Sequence, residues 1–462
     1  MPSIDCIQAV TRILAILCCL LTIKASAQEI NAEHNYARNS PGIVMVQAVF
    51  SATVYVNSLE INQRVFEKLV DSVKRLDSTG NIYSNEQKLD MVIKALYKSP
   101  SRFFLPGNDY FRQLRRVQAN GSGFLITGDG YVVTNCHIVD RDSAFIRNKF
   151  IQETFQEVTN KNINALQSSW AVSLTDEQRD LLYNSYSLIY SQLSSMILFD
   201  LQKEFFVLYR SDTDSGTVTV KKEARIITKG KAMPGKDVAI LKIDSISELP
   251  TLAFSRDSIT RIGTEVLVLG YPGPVTANAF LASEAGIEPT LTTGIVSAIK
   301  KSINGWPVIQ MDAVISHGSS GSPVCNNRGE VVGLATFGSL DKDAGTLASG
   351  FNFAIPVSVM NEFIAAAGVK PSTSKASKLF NEGLQFYYQQ HFRKAGERFE
   401  EVKALNEHYP QLHFYSEQCK SRMDTGLDKN APPRKYVFWL MLVIAAGILG
   451  YLFYKRKQKE DW

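Results

Sequence analysis

Histidine, cysteine and tryptophan are sparse in this chain of 462 residues, at six, six and four. Cys6, Cys18 and Cys19 fall within the first 27 residues, which leaves Cys136, Cys325 and Cys419. An odd set of three implies no disulfide framework, and reduced, buried thiols are the plainer reading. Charge of one sign is also lacking: the formal net charge is only +5, with no basic stripe, so a nucleic-acid partner is not expected. Nothing in the chain implies a cofactor or a metal. Long hydrophobic runs are limited to two, one near each terminus. What is present is a 45% hydrophobic content, ample for a packed core, on a length that exceeds one ordinary domain.

The two runs read differently. Arg12 precedes the apolar stretch Ile13 to Ile23, and Ala25-Ser26-Ala27 supplies small residues before Gln28, the pattern of a secretory signal over 1–27. The second run, Tyr436 to Tyr454, is free of charge and flanked by Arg434-Lys435 and Lys455-Arg456-Lys457. It is expected to be a single transmembrane helix over 436–454. The denser basic residues after it would leave 455–462 in the cytoplasm and everything before it extracytoplasmic, on the periplasmic side of a bacterial cell.

Between the runs, strand and helix patterns interleave. Val44, Val46, Val49, Val54 and Val56 mark an opening strand. Ile61, Val65, Leu69, Val73 and Leu76 repeat at helical spacing, with Gly80 as a terminator, and Ser84-Asn85-Glu86-Gln87 is a capping box before a second helix. These helices form an insertion over about 57–106. Strand pattern resumes near Tyr110. A second insertion, about 141–206, carries the cap Thr175-Asp176-Glu177-Gln178 and the stripe Leu182, Tyr186, Ile189, Leu193 and Met196. Thr217 to Val220 and Ala224 to Ile227 read as the arms of a hairpin. From Leu252 to Pro356, short strands recur between Gly, Pro, Asn and Asp, as in an all-β barrel.

Three segments carry chemistry. Tyr131-Val132-Val133 runs into Thr134-Asn135-Cys136-His137-Ile138-Val139. Lys236-Asp237-Val238-Ala239-Ile240 places a lone acid at the start of a strand. His317-Gly318-Ser319-Ser320-Gly321-Ser322-Pro323 puts a serine on a glycine-flanked turn, its hydroxyl beside free backbone N–H groups. A nucleophile next to donors for an oxyanion is what acyl transfer needs. The order His, Asp, Ser is one of the chain orders of the serine-protease triad. Supporting strings are Gly121-Ser122-Gly123-Phe124, Val266-Leu267-Val268-Leu269-Gly270-Tyr271, Thr293-Gly294-Ile295-Val296, Gly329-Glu330-Val331-Val332-Gly333 and Gly350-Phe351-Asn352-Phe353. Together these segments resemble the HtrA/DegP branch of the trypsin-like serine proteases, over roughly Pro41 to Gly368.

The resemblance implies a mainly β protease core of two six-stranded antiparallel barrels, spanning 28–368 with its two helical insertions. His137 and Asp237 would come from the first barrel and Ser320 from the second. It assigns His137, Asp237 and Ser320 as the catalytic triad, and the N–H groups of Gly318 and Ser320 as the oxyanion hole. Ala335, Thr336 and Phe337 occupy the stretch that walls the substrate pocket. No acid stands there, and Val314 takes the place where a trypsin-like pocket would keep one, so a small or medium apolar residue is favoured before the cleaved bond. Ser319 and Ser322 depart from the family's Gly-Asn-Ser-Gly-Gly-Pro string.

After a linker at 369–375, a PDZ domain would usually follow. Here 376–424 has helical period instead, and Gly383, Phe386, Ala395 and Phe399 resemble the small and aromatic positions of a tetratricopeptide (TPR) repeat. Two functions follow from different classes. One is a membrane-anchored extracytoplasmic serine endopeptidase acting on protein or peptide substrates, unfolded chains among the candidates, in envelope quality control or regulated proteolysis. The other is a catalytically weak or inactive protease-fold scaffold that binds protein partners through its helical insertions and TPR-like segment.

Overall fold

The computed structural model describes residues 31–452 apart from 77–82, 194–196, 214–215, 245–246, 257–260, 277–279, 281–287, 342–345, 430–438 and 440. The leader expected at 1–27, Gly80 and Met196 therefore lie outside the described residues. The first six strands are β1 (Ile43–Ile61), β2 (Phe104–Leu125), β3 (Tyr131–Thr134), β4 (Ile197–Thr213), β5 (Gly216–Lys229) and β6 (Ala239–Ile243). They close into an antiparallel barrel in the order β1-β2-β3-β6-β5-β4. The next six are β7 (Glu265–Gly270), β8 (Thr290–Lys301), β9 (Pro307–Met311), β10 (Pro323–Asn326), β11 (Val331–Asp341) and β12 (Thr346–Pro356), which close as β10-β11-β12-β9-β8-β7. The trypsin-like pair of barrels is thus present.

The period of two along β1 explains how the barrels join. Residues 43–50 are buried on both faces. Val44 and Val46 fill the first barrel with Leu125, Val132 and Leu241. Ile43 and Met45 point the other way, into a core shared with Leu267, Leu269 and Leu334 of the second barrel. A strand buried on both faces reads as a continuous apolar run, and Ile43-Val44-Met45-Val46 is one.

Beyond Ser51 only alternate residues of β1 stay buried: Ala52, Val54 and Val56. Here β1, β2 and β4 run out of the barrel as a three-stranded sheet, registered Thr53↔Leu114 and Thr53↔Phe199. The inserted helices cover one face of it. They are α2 (Gln63–Arg75) and α3 (Asn85–Lys98) from the first insertion and α4 (Ser143–Trp170) and α5 (Asp176–Leu193) from the second, following α1 (Ala32–Asn39). Both expected caps form. Ser84 and Gln87 exchange bonds as a capping box, and Thr175 Oγ1 accepts from the Gln178 amide at 3.2 Å while Gln178 Oε1 accepts from Thr175 N–H at 3.1 Å. Leu182, Tyr186 and Ile189 share one apolar cluster with Val92, Ile93 and Leu96, so the two insertions pack on each other. One reading changes here. Residues 217–220 and 224–227 are not two arms of a hairpin but one strand, β5, because no turn residue interrupts Lys221-Lys222-Glu223. The hairpin is β4 against β5.

Downstream, α6 (Val357–Ala366) closes the second barrel, and three helices follow: α7 (Lys375–Tyr388), α8 (Phe392–Leu405) and α9 (Leu412–Asp424). Gly383 lets α7 and α8 cross closely, since a Cβ there would stand 2.5 Å from the Phe399 ring. The short segment at 370–374 is fastened to the first barrel. The Ser372 amide donates to the Ile126 carbonyl at 3.0 Å, and Ser374, buried, donates through its amide to Thr251 Oγ1 at 2.8 Å. Ala37 of α1 and the buried Tyr409 complete the apolar cluster of α7 to α9. This helical segment therefore leans on barrel one rather than standing alone.

The expected transmembrane helix is overturned. Among the described residues no helix is long and apolar enough to cross a membrane.

Candidate active site

β3 delivers the histidine. Its last residue, Thr134, donates through Oγ1 to the Ser122 carbonyl at 2.7 Å, and Asn135 donates through Nδ2 to the Asp237 carbonyl at 2.8 Å. A one-turn helix, Cys136–Val139, then presents His137. Asp237 sits just before β6, next to β3, with no exposed surface. Three donors converge on its carboxylate. His137 N–H reaches Oδ1 at 2.8 Å, His137 Nδ1 lies 2.6 Å from Oδ2, and the Thr336 hydroxyl donates to Oδ2 at 2.9 Å. With Oδ2 accepting, Nδ1 carries the proton and Nε2 is left as an acceptor facing the cleft. The imidazole is about one-third exposed, at 35%.

The serine stands on a loop that only glycine allows. Gly318 and Gly321 have φ of +94° and +87°, and a Cβ on Gly321 would lie 1.9 Å from the Ser122 carbonyl oxygen. Within the loop, the Ser319 amide donates to the Ser316 carbonyl at 2.9 Å and the Ser322 amide to the Ser319 carbonyl at 3.0 Å. Ser122, fully buried on β2, reaches across from the first barrel. Its N–H donates to the Ser320 carbonyl at 2.7 Å, and its hydroxyl donates to the Gly318 carbonyl at 2.8 Å and accepts from Tyr271 N–H at 2.9 Å. With these carbonyls held back, the N–H groups of Gly318 and Ser320 have no acceptor among the described residues. The Ser320 hydroxyl donates to the Thr336 carbonyl at 3.0 Å, and no hydrogen bond joins it to His137.

These groups open onto one cleft of about 540 Å³ between the barrels. His137, Asp237, Gly318, Ser320 and Thr336 all line it. Ala335 does not: its side chain is buried in the core of the second barrel. The Phe337 side chain lies outside the described residues. Among the described residues none of α2 to α5 lines the cleft. Sequence reasoning missed the polar grip of Ser122, although a lone polar residue between Gly121 and Gly123 inside a strand is a signal. Thr336 lines the cleft as expected, and its hydroxyl also holds Asp237, a role that the sequence reading did not assign.

No disulfide joins the cysteines at this site. Cys136 and Cys325 are free and buried. Cys136 Sγ donates to the Gly230 carbonyl at 3.3 Å, and burial, helped by the Asp237 charge, pushes its thiol up to about 11. Below that value the folded thiol stays protonated, so at pH 8 iodoacetamide should leave Cys136 unmodified in native protein and modify it once urea unfolds the chain. Peptide mass mapping checks this, and rapid native labelling would contradict the burial.

Comparison with known proteins bears on the same region. The family model of the trypsin-like peptidase domain matches residues 121–334. A probable periplasmic serine endoprotease, DegP-like, of Rhizobium meliloti is 27% identical over 252 residues, covering 54% of this chain and 33% of that protein. Serine protease HTRA1 of Xenopus laevis is 31% identical over 149 residues, 31% of this chain and 28% of its own. Serine protease PepD of Mycobacterium tuberculosis is 32% identical over 140 residues, 27% and 28% respectively. The chain spans about a third of the length of these relatives.

Proposed function

From a trypsin-like peptidase domain of the HtrA/DegP type, we propose that this chain is a serine endopeptidase acting on protein substrates. Ser320 Oγ attacks the peptide carbonyl carbon and its proton passes to His137 Nε2. The developing oxyanion accepts from the N–H groups of Gly318 and Ser320. When the C–N bond breaks, His137 returns the proton to the leaving amine, and water then hydrolyses the acyl-serine by the same route. Asp237 fixes the imidazole tautomer and stabilises the imidazolium. To react, the Ser320 hydroxyl has to leave the Thr336 carbonyl and turn to Nε2.

The observation that carries this reading is the convergence of three donors on the buried Asp237 carboxylate, two of them from His137, whose imidazole is about one-third exposed at 35%. Asp237 is fully engaged, and no other carboxylate lines the cleft among the described residues, so cleavage after Lys or Arg is disfavoured. The leader-like 1–27 and the word periplasmic in the name of a relative support an extracytoplasmic setting. The full chain, treated with a fluorophosphonate and digested, should carry the adduct on Ser320 and lose it in His137→Ala. Modification elsewhere, or none, would defeat the proposal.

A further inference from the structure

The same cleft holds a cation without a counter-ion among the described residues. Arg141, four residues past His137, lines it together with Asn120 of β2. Arg141 Nε is buried and has no hydrogen-bond partner. Its guanidinium lies 5.6 Å from the centroid of the Phe145 ring, which orients it but neutralises nothing. The carboxylates nearest in sequence or in the cleft are committed elsewhere. Asp140 pairs with Lys229, Asp142 Oδ1 accepts from the Ala144 amide at 2.9 Å, and Asp237 is held by His137 and Thr336. Burial lowers the Arg141 pKa, the mark of a charge stripped of some water and given no anion in return.

Asn120 adds a second donor. Its Oδ1 accepts from Gln118 Nε2 at 2.9 Å and from Gln47 Nε2 at 3.5 Å, which leaves the Nδ2 hydrogens to face outward. A partly desolvated guanidinium and a free amide donor in one cleft make a carboxylate site, because a charge-assisted bond supplies what the folded chain withholds. We propose that Arg141, aided by Asn120, is a specificity determinant that binds a carboxylate of the substrate, an acidic side chain or a terminal carboxyl group, on the first-barrel side of His137. This rests on the peptidase reading of the cleft for what the bound chain is.

The test separates the two. The full chain with Ser320→Ala is titrated with fluorescent decapeptides of Ala and Val in which one Glu, or one Gln, is stepped along the sequence. At one position Glu should bind about tenfold more tightly than Gln, as expected for a charged pair that is partly desolvated. Arg141→Gln should collapse that ratio to near one, Arg141→Lys should keep part of it, and Asn120→Ala should reduce it several-fold. Peptides with free and amidated C-termini distinguish the two carboxylate sources. Equal affinities throughout, or an undiminished ratio in a folded Arg141→Gln chain, would overturn the proposal. Cleavage by the unmutated chain is scored apart. Cleavage without Glu preference sinks only the carboxylate site, and Glu-selective binding with no cleavage and no fluorophosphonate adduct sinks only the peptidase.

Discussion

Replacing Ser320 by alanine will abolish hydrolysis of an unfolded protein substrate by the full chain, a fall on the order of 10⁴-fold or more, with the fold intact. The proposed nucleophile is the atom removed, and neither neighbouring serine of the loop can replace it. Ser319 is buried with its Oγ accepting from the Ser316 amide at 3.3 Å, and the Ser322 side chain is fully buried. The structural loss is small. Ser320 Oγ makes one hydrogen bond, to the Thr336 carbonyl, in a half-buried position, so about 1 kcal/mol or less of stability is at stake. Thermal unfolding of the variant should therefore track the wild type while activity vanishes. Turnover within tenfold of wild type would show that Ser320 is not the nucleophile.

The site was more legible in the sequence than its surroundings, for a physical reason. The proposed chemistry needs His137, Asp237 and Ser320 at strand ends, where turn residues cluster and residue types are restricted. The glycines at 318 and 321 stand where φ is positive and where a Cβ would strike the Tyr271 or Ser122 carbonyl. Such constraints write themselves into local strings. The insertions are constrained only to bury one face. Helix α4 escaped notice because two positions of its buried stripe are threonine, Thr154 and Thr159, which breaks the apolar repeat of Ile146, Phe150, Val158, Ile163 and Leu166. Thr154 is polar there for cause, since its Oγ1 accepts from Arg115 Nε at 2.7 Å. Strand β4 was hidden because 197–205 lies outside the barrel, where Ile197 and Phe199 are exposed and no alternation is enforced.

The transmembrane expectation failed on a different count. Hydropathy and flanking charge report what a segment would tolerate, whereas spanning also requires a continuous helix of sufficient length, and among the described residues no helix is long and apolar enough. Thr336 illustrates the limit of motif reasoning at the site itself. Its position after Gly333 suggested a pocket wall, and it does line the cleft, but the second task of its hydroxyl depends on strand register. Beside it Ala335 pairs with Ala354 and turns into the core, leaving the Thr336 hydroxyl to meet Asp237.

That meeting sets the outcome of the second large perturbation. Asp237→Asn keeps shape and volume but exchanges one carboxylate oxygen for a donor. If the new amide nitrogen took the Oδ1 place it would face His137 backbone N–H, two donors locked together in a buried site, at a cost of about 1–3 kcal/mol. Facing the other way it meets the Thr336 hydroxyl, which can rotate, and His137 Nδ1, which can accept if the ring changes tautomer. The second arrangement is the cheaper one. It moves the ring proton to Nε2, so the nitrogen that should receive the Ser320 proton already carries one. Hydrolysis should fall about 10⁴-fold while KM changes little, because substrate contacts are untouched and only proton transfer is blocked. Thermal unfolding shifted by a few degrees, with the hydroxyl of Ser320 still present, would mark the loss as chemical. A fall of less than tenfold would mean that Asp237 holds the fold of this cleft without governing His137.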